Sequence, residues 1–126
     1  MSKTTLKKET TMPFLRFQGF TQPFLKSVAS EIIAEFAHMI HIPEQIVKLS
    51  LDHAENIANV PPTLEISMFP RSQDKHDAVA SAMHSLLSKY GFHQVHIYFI
   101  LLSPSLYYKE GKPLITIPEA TYLESH

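Results

Sequence analysis

The sequence contains one short pattern twice, and this internal repeat limits the fold more than any other feature. The stretch PFLRF at 13–17 resembles PTLEI at 62–66, which begins 49 positions later. In each copy apolar and polar residues alternate, which is typical of a half-buried β-strand. The chain is therefore predicted to contain two copies of one structural unit.

A helix is predicted after each of these strands. The first should begin at an N-cap formed by Thr21 and end near His41, because Pro43 cannot continue a helix. The second should begin at an N-cap formed by Ser72 and end at Gly91. Apolar residues recur along one face of each helix: Phe24, Val28, Ile32, Phe36 and Ile40 in the first, and Val79, Ala82, Met83, Leu86 and Tyr90 in the second.

Each helix leads to a second strand, at 46–51 in the first unit and 95–102 in the second. A βαβ crossover makes its two strands parallel and places the helix on one face of them. We therefore predict an α/β fold in which duplicated βαβ units form a two-layer α+β structure: a four-stranded sheet with two helices on one face. A ferredoxin-like pairing of the same elements is the competing topology. Only the first topology places the strand of Pro13 beside the strand of Ile46.

The face of the sheet opposite the helices is predicted to be polar without forming a continuous charged surface. The alternation of each strand places these residues there: Arg16, Gln18, Lys48, Ser50, Glu65, Ser67, His96 and Tyr98. An open sheet could leave them in water, and a trimer could instead turn three such faces inward. The sequence alone does not distinguish the two arrangements.

At 126 residues the chain is long enough for one domain with a single core. Residues 1–11 are polar and are expected to form a disordered tail. Residues 12–126 are expected to form the domain, with repeat one at about 13–52, repeat two at about 62–102 and a C-terminal segment at 103–126.

The composition argues against several classes of partner. The net charge is -1 and no basic run stands out, so neither nucleic acid nor an anionic membrane is an expected partner. No apolar run approaches the roughly 20 residues of a membrane span, and the first residues lack the apolar middle of a signal peptide. The chain has no cysteine, which excludes disulfides and thiolate chemistry and fits a cytoplasmic protein.

Eight histidines raise the question of a metal site. His38 and His41 are three residues apart, as are His93 and His96, but alternation points the second pair to opposite faces of a strand. No carboxylate is placed to complete either pair, and zinc requires three or four ligands. We therefore expect no metal and no other cofactor.

Three short stretches connect this chain with a known superfamily: MPFLRF at 12–17, MFPRSQ at 68–73 and SLYYKEGK at 105–112. In their order and spacing they resemble the tautomerase superfamily, whose members include 4-oxalocrotonate tautomerase and macrophage migration inhibitory factor. The resemblance is closest to a small bacterial family of unknown function with that fold. Superfamily members are built from βαβ units that begin Met-Pro and usually assemble as trimers or hexamers of units, so the resemblance implies a homotrimer.

The resemblance also implies a proline base. In catalytic members the initiator methionine is removed, and the exposed proline shuttles a proton between the carbon and the oxygen of an enol. Pro13 matches that proline, but Met12 acylates its nitrogen in this sequence, which removes the basicity that the reaction needs. A protein that starts at Met12 and loses it would have a free Pro13, whereas one that starts at Met1 would not.

Four further residues are assigned to substrate binding by the resemblance. Arg71 matches an arginine that holds the substrate carboxylate, and Lys48 matches a second, polarising cation. His96 and Tyr98 match strand positions that line the pocket in the inhibitory-factor branch. Each also has a structural interpretation: a solvated arginine or lysine, a hydrogen-bonded sheet histidine and an interface tyrosine.

Two other pairs are predicted to be structural. Arg16 could form an ion pair with Glu65, its counterpart in the other repeat, and Tyr107 and Tyr108 suit a subunit interface. The functional prediction is keto–enol tautomerisation of a small carboxylate by Pro13. The alternative is a non-catalytic trimer that binds a small ligand or another protein.

Overall fold

The computed structural model describes residues 13–114 of the 126-residue chain. The predicted tail at 1–11 and the last part of the predicted C-terminal segment, 115–126, lie outside the described residues. The described part contains a four-stranded sheet, a two-stranded hairpin and two long helices.

The main sheet consists of β1 (Phe14–Gln18), β2 (Lys48–Asp52), β3 (Thr63–Met68) and β4 (His96–Leu101), in the spatial order β2-β1-β3-β4. β1 is parallel to β2, and β3 is parallel to β4, as two βαβ crossovers require. The two units meet through antiparallel pairing of β1 with β3. β1 therefore lies beside β2, which confirms the predicted duplicated βαβ fold and excludes the ferredoxin-like order.

The helices α1 (Gln22–Ile40) and α2 (Gln73–Lys89) begin where the sequence predicts. Thr21 and Ser72 are the N-caps, and each hydroxyl accepts a hydrogen bond from the backbone N–H three residues later, at 3.3 and 3.2 Å. α1 ends where His41 adopts a left-handed conformation with φ 61°. Within residues 13–114, neither helix combines the length and the apolarity needed to cross a membrane.

The second strand starts later than predicted. Residues Glu44–Ile46 form a single 3₁₀ turn, closed by a hydrogen bond from the Val47 N–H to the Glu44 carbonyl at 3.1 Å. Pro43 precedes this turn with φ -66°, a fixed angle that suits the start of a tight turn. β2 consequently begins at Lys48, although the apolar alternation extends back into the turn.

Alternating residues of the strands face the helices and form the core. Leu15, Phe17, Leu64 and Ile66 are completely buried there. The helices contribute the following buried residues: Leu25, Val28, Ile32, Phe36, Ala37 and Ile40 from α1, and Val79, Met83, Leu86 and Leu87 from α2. Both helices therefore pack on one face of the sheet, as predicted, and the opposite face stays free of them.

The turn between β1 and α1 requires glycine. Gly19 has φ 86°, and a Cβ added to it would lie 2.9 Å from the Cα of Pro62. This contact is too short for any residue with a side chain. Gly19 thus lets the residues before β3 pass close over the end of β1.

Candidate functional site

Pro13 immediately precedes β1, and its ring is buried. Its carbonyl accepts a hydrogen bond from the Lys48 N–H at 3.1 Å, because β2 starts beside and parallel to β1. β3 runs in the opposite direction and ends here, at Met68. We call this end of the sheet, defined by Pro13, Lys48 and Met68, the Pro13 edge.

Lys48 is half-buried at the Pro13 edge. Its Nζ lies 5.4 Å from the centroid of the Phe14 ring and donates to the Ile46 carbonyl at 3.4 Å. Burial, and after it the positive charge of Lys109, lowers the pKa of Lys48. Neither lysine takes part in the ion pairs formed within residues 13–114. Within the described residues neither lysine is therefore paired with a carboxylate.

Lys109 belongs to a hairpin that follows β4. β5 (Tyr108–Lys109) pairs with β6 (Lys112–Pro113) across a two-residue turn. Glu110 and Gly111 both have positive φ there, as a type I′ turn requires. Lys109 is not among the residues that the sequence pattern singles out. The sequence feature that indicates this hairpin is Gly111, at the second position of a turn between two short strand-like segments.

The base of the hairpin is attached to the end of β3. Leu102 donates its N–H to the Met68 carbonyl at 2.8 Å. Tyr107 contacts Phe69 edge-on, with ring centroids 5.9 Å apart. Leu114 is buried beside Phe69 and donates its N–H to the Tyr107 carbonyl at 2.7 Å. The hairpin therefore emerges at the Pro13 edge.

Arg71 lies at the same edge, in the turn that leads from β3 to α2. It directly precedes the N-cap Ser72 and so lies just outside the helix. Its backbone N–H donates to Nε2 of His76 at 3.0 Å. Its guanidinium forms none of the ion pairs within residues 13–114. The strand directions thus bring three of the predicted site residues, Pro13, Lys48 and Arg71, to one edge of the sheet.

His76 is a buried polar residue that the sequence pattern does not mark as functional. Its ring packs edge-on against Phe99 of β4, with centroids 4.4 Å apart, and its Nδ1 has no hydrogen-bond partner among the described residues. Burial, then the charge of Arg71, lowers the pKa of His76, against an opposite effect of Asp77. The sequence feature that could have indicated its burial is its position one turn before Val79, on the apolar face of α2.

His96 lies far from Pro13 in its own chain. It pairs with Thr63 at the opposite end of the sheet, roughly 16 Å along the strands at about 3.3 Å per residue. Its N–H donates to the Pro62 carbonyl at 3.0 Å, the same contact that Lys48 makes with Pro13. His96 is therefore the counterpart of Lys48 in the second repeat.

Tyr98 lies midway along the sheet, in a polar network on the open face. Its hydroxyl donates to Oε1 of Glu65 at 3.2 Å, and burial followed by this hydrogen bond raises the pKa of Tyr98. Glu65 Oε2 is 3.2 Å from Nη1 of Arg16, whose Nε is 3.4 Å from Oδ2 of Asp52. The structure confirms the predicted ion pair between Arg16 and Glu65. It does not bring Tyr98 to the Pro13 edge of the same chain.

The histidine pairs considered from the sequence do not form a metal-binding cluster in residues 13–114. No group of three or more histidine, cysteine, aspartate or glutamate side chains converges there in a geometry that could hold a metal ion.

The fold defines a structural class. Two βαβ units that share one four-stranded sheet, with both helices on one face, form the fold of solved macrophage migration inhibitory factor and 4-OT tautomerase structures. The chain belongs to a family described as a domain of unknown function, DUF1904, whose sequence model matches residues 12–113. The resemblance inferred from the three short stretches is thereby confirmed.

Solved structures share this fold at low sequence identity. A protein of unknown function from Vibrio cholerae is 21% identical, with a TM-score of 0.76 over 83% of this chain and 89% of that chain. A macrophage migration inhibitory factor homologue from Prochlorococcus marinus is 16% identical, with a TM-score of 0.62 over 80% and 98%. A fused 4-OT described as a wild-type asymmetric trimer is 12% identical, with a TM-score of 0.68 over 80% and 95%. The chain has no significant match among curated proteins.

Proposed function

We propose that this protein is a keto–enol tautomerase, an isomerase, of a small carboxylate, with Pro13 as the base. The observation that carries the proposal is the presence of two mutually interacting lysines without an ion-pair partner within residues 13–114, Lys48 and Lys109, at the edge that holds the buried Pro13 ring. An amine in apolar surroundings near cations has a lowered pKa, so its neutral form is populated near pH 7. Such an amine can take a proton from carbon and return it to oxygen.

The proposal requires that Pro13 is the N-terminal residue of the active protein. In the full sequence Met12 acylates the Pro13 nitrogen, and an amide nitrogen of this kind is not a base. Translation from Met12 followed by removal of the methionine would free the nitrogen. The match to the family begins at Met12, which supports this start.

Arg71 and Lys48 have separate roles in the proposed reaction. A guanidinium binds a carboxylate through two parallel hydrogen bonds, and Arg71 lies just before the N-terminus of α2, where the helix field favours an anion. The half-buried Lys48 ammonium would stabilise the oxygen that becomes negative, because partial burial strengthens an interaction between charges.

The reaction moves one proton. The Pro13 nitrogen removes it from the carbon next to the ketone, and the electrons of that C–H bond form the new C=C bond while the carbonyl oxygen gains the negative charge. Lys48 stabilises this oxygen. The protonated Pro13 then transfers the proton to the oxygen, which yields the enol, and the reverse sequence converts the enol to the ketone.

We further propose that three chains assemble through the open faces of their sheets. On this face β4 exposes Tyr98 and Ile100 by 45% and 44%, which is apolar surface that an interface would cover. The trimer described for a fused 4-OT of the same fold supports this assembly. In it His96 and Tyr98 would line the site of a neighbouring chain, as their match to pocket positions of the inhibitory-factor branch suggests. Sedimentation equilibrium of the native protein tests the trimer.

Two measurements test the catalytic proposal. The intact mass of the protein expressed from its native gene shows whether Pro13 is terminal. An absorbance assay with the enol of phenylpyruvate then compares the Pro13-terminal protein with its Pro13→Ala variant. We expect ketonisation by the former and a loss of about 100-fold or more in the variant. If both proteins are equally inactive although Pro13 is free, the proposal is wrong.

A non-catalytic trimer that binds a small ligand or another protein is the second candidate. The observation that favours it is the Met12–Pro13 amide of the full sequence, which leaves no basic nitrogen. A native protein whose mass includes residues 1–12 and which does not ketonise phenylpyruvate would support it. The cysteine-free composition suits a cytoplasmic location for either candidate, and we include that location in the proposal.

A further inference from the structure

A buried histidine holds the backbone of the proposed carboxylate-binding arginine. The Arg71 N–H donates to Nε2 of His76 at 3.0 Å. A neutral imidazole that accepts at Nε2 carries its proton at Nδ1, so this contact selects one tautomer. The Ser72 hydroxyl, the N-cap of α2, accepts the Lys75 N–H instead. His76 is therefore the group that satisfies the Arg71 N–H.

The His76 ring is itself fixed by the sheet. It is only 9% exposed and packs against Phe99 of β4. Because the ring cannot move without disturbing this packing, its hydrogen bond ties the turn of Arg71 to a rigid strand. A long side chain loses less conformational freedom on binding when the backbone that carries it is already fixed.

We propose that His76 is the positioning residue for Arg71: its neutral imidazole fixes the Arg71 backbone and thereby the direction from which the guanidinium meets a carboxylate. The role of Arg71 in substrate binding rests on the proposed function. Positioning of Arg71 by His76 depends on the protonation state of the ring, on which proline chemistry alone does not depend. The ring must be neutral, because an imidazolium carries N–H groups at both nitrogens and cannot accept the Arg71 hydrogen bond.

The buried position of His76 favours its neutral form. Burial, followed by the charge of Arg71, lowers the pKa of His76, and Asp77 of α2 acts in the opposite direction. Phe99, which packs on the ring from β4, carries no charge. The positioned state of Arg71 should therefore predominate above about pH 6.5 and be lost as the pH falls through the lowered pKa.

Three variants test the kinetic consequence. His76→Phe keeps an aromatic ring but removes the acceptor, and His76→Gln keeps an acceptor that does not titrate. His84→Gln is the matched control, because His84 is an exposed histidine of the same helix. With the Pro13-terminal protein and phenylpyruvate enol, we expect His76→Phe to raise KM about tenfold and to change kcat by less than about twofold.

The other two variants test whether the hydrogen-bond acceptor at position 76 is the cause. His76→Gln should return KM close to the wild-type value and, unlike the wild type, should hold it as the pH falls through the lowered pKa of His76. His84→Gln should match the wild type throughout. An active wild type whose KM is unchanged by His76→Phe would overturn the inference and leave the tautomerase proposal intact.

A spectroscopic measurement on the full chain needs neither turnover nor a folded His76→Phe protein. In ¹⁵N-resolved NMR we expect His76 to be the Nδ1–H tautomer and the Arg71 amide resonance to shift as His76 is protonated. The pH dependence of that amide should disappear in His76→Gln. If the full chain shows this behaviour but the Pro13-terminal protein turns over no substrate, the proposed function is wrong, while His76 is retained as the residue that positions Arg71. An Arg71 amide that is insensitive to His76 ionisation overturns the inference whatever the activity.

Discussion

Arg16 and Glu65 occupy equivalent positions in the two repeats, and they lie directly opposite each other where β1 pairs with β3, with Arg16 Nη1 3.2 Å from Glu65 Oε2. The antiparallel register is symmetric about this pair, so a local twofold axis between the repeats passes through it. A position on such an axis meets its own counterpart. If both repeats carried the same charged residue at this position, the two side chains would repel each other. Because one repeat has arginine and the other glutamate, they attract each other instead.

Reversing one of these charges should destabilise the sheet. We expect Arg16→Glu to lower the free energy of unfolding by about 1 kcal/mol, because it faces Glu65 with a second carboxylate at a partly exposed position. Urea unfolding measures the change, and Lys26→Glu on the exposed side of α1 is the control with the same change of charge. The double variant Arg16→Glu/Glu65→Arg should recover only part of the loss, since the new glutamate remains beside Asp52. If the changes in unfolding free energy of the two single variants simply added in the double variant, this account would be wrong.

Removing the charge of Lys109 should raise the pKa of Lys48. The charge of Lys109 is the second cause of the lowered value, after burial, so in Lys109→Met the pKa should move upward without reaching that of a free lysine. An NMR pH titration of Lys48 Nζ provides the measurement. Lys112→Met, on the other strand of the same hairpin, is the control. An identical shift in both variants would mean that the hairpin as a whole, and not Lys109, acts on Lys48.

Lys75 should contribute to stability by joining the two helices. Its Nζ donates to the Met39 carbonyl at 2.8 Å, one of the last carbonyls of α1, which have no partner within the helix. Lys75→Met keeps the aliphatic chain and removes the donor and the charge. We expect a loss of about 1 kcal/mol in urea unfolding. Lys26→Met, an exposed lysine of α1, should leave the midpoint unchanged, and an equal loss in both variants would rule out the interhelical contact as the cause.

The stabilising effect of Glu31 should depend on pH. Glu31 of α1 forms an ion pair with Lys89 and accepts a hydrogen bond from the Tyr90 hydroxyl at 2.6 Å. These contacts, that of Lys89 first, lower the pKa of Glu31. The stabilisation is therefore complete above the unfolded-state pKa of about 4.3 and is lost as the pH falls through the lower folded-state pKa.

Thermal unfolding of Glu31→Gln should show this dependence. We expect its melting temperature to lie below that of the wild type at pH 7, and the difference to shrink as the pH falls through the lowered pKa of Glu31. Glu35→Gln, which changes an exposed carboxylate of the same helix, is the control. A difference that stays constant across this range would show that packing of the glutamate chain, and not its charge, is responsible.

Much of the scaffold could be predicted because its causes are local. An alternating strand specifies which residues face the helices, and the hydroxyls of Thr21 and Ser72 mark the helix starts through contacts only three residues long. The start of β2 was harder to place, because Ile46 continues the apolar alternation although it belongs to a 3₁₀ turn. A short turn and a strand end can share one hydrophobic pattern, so periodicity alone does not separate them.

The amino-acid sequence alone determined the duplicated βαβ plan, because βαβ crossovers follow from local patterns. Pro13, Lys48 and Arg71 were assigned one by one through the resemblance, and only the folded sheet places them at one edge. The environment of His76 and the approach of Lys109 to Lys48 came from the folded chain only. A hydrogen bond or a pKa depends on separations of a few ångströms between groups that are remote along the chain. Local periodicity in the sequence does not specify these distances. They are fixed only when the sheet, the helices and the hairpin pack together.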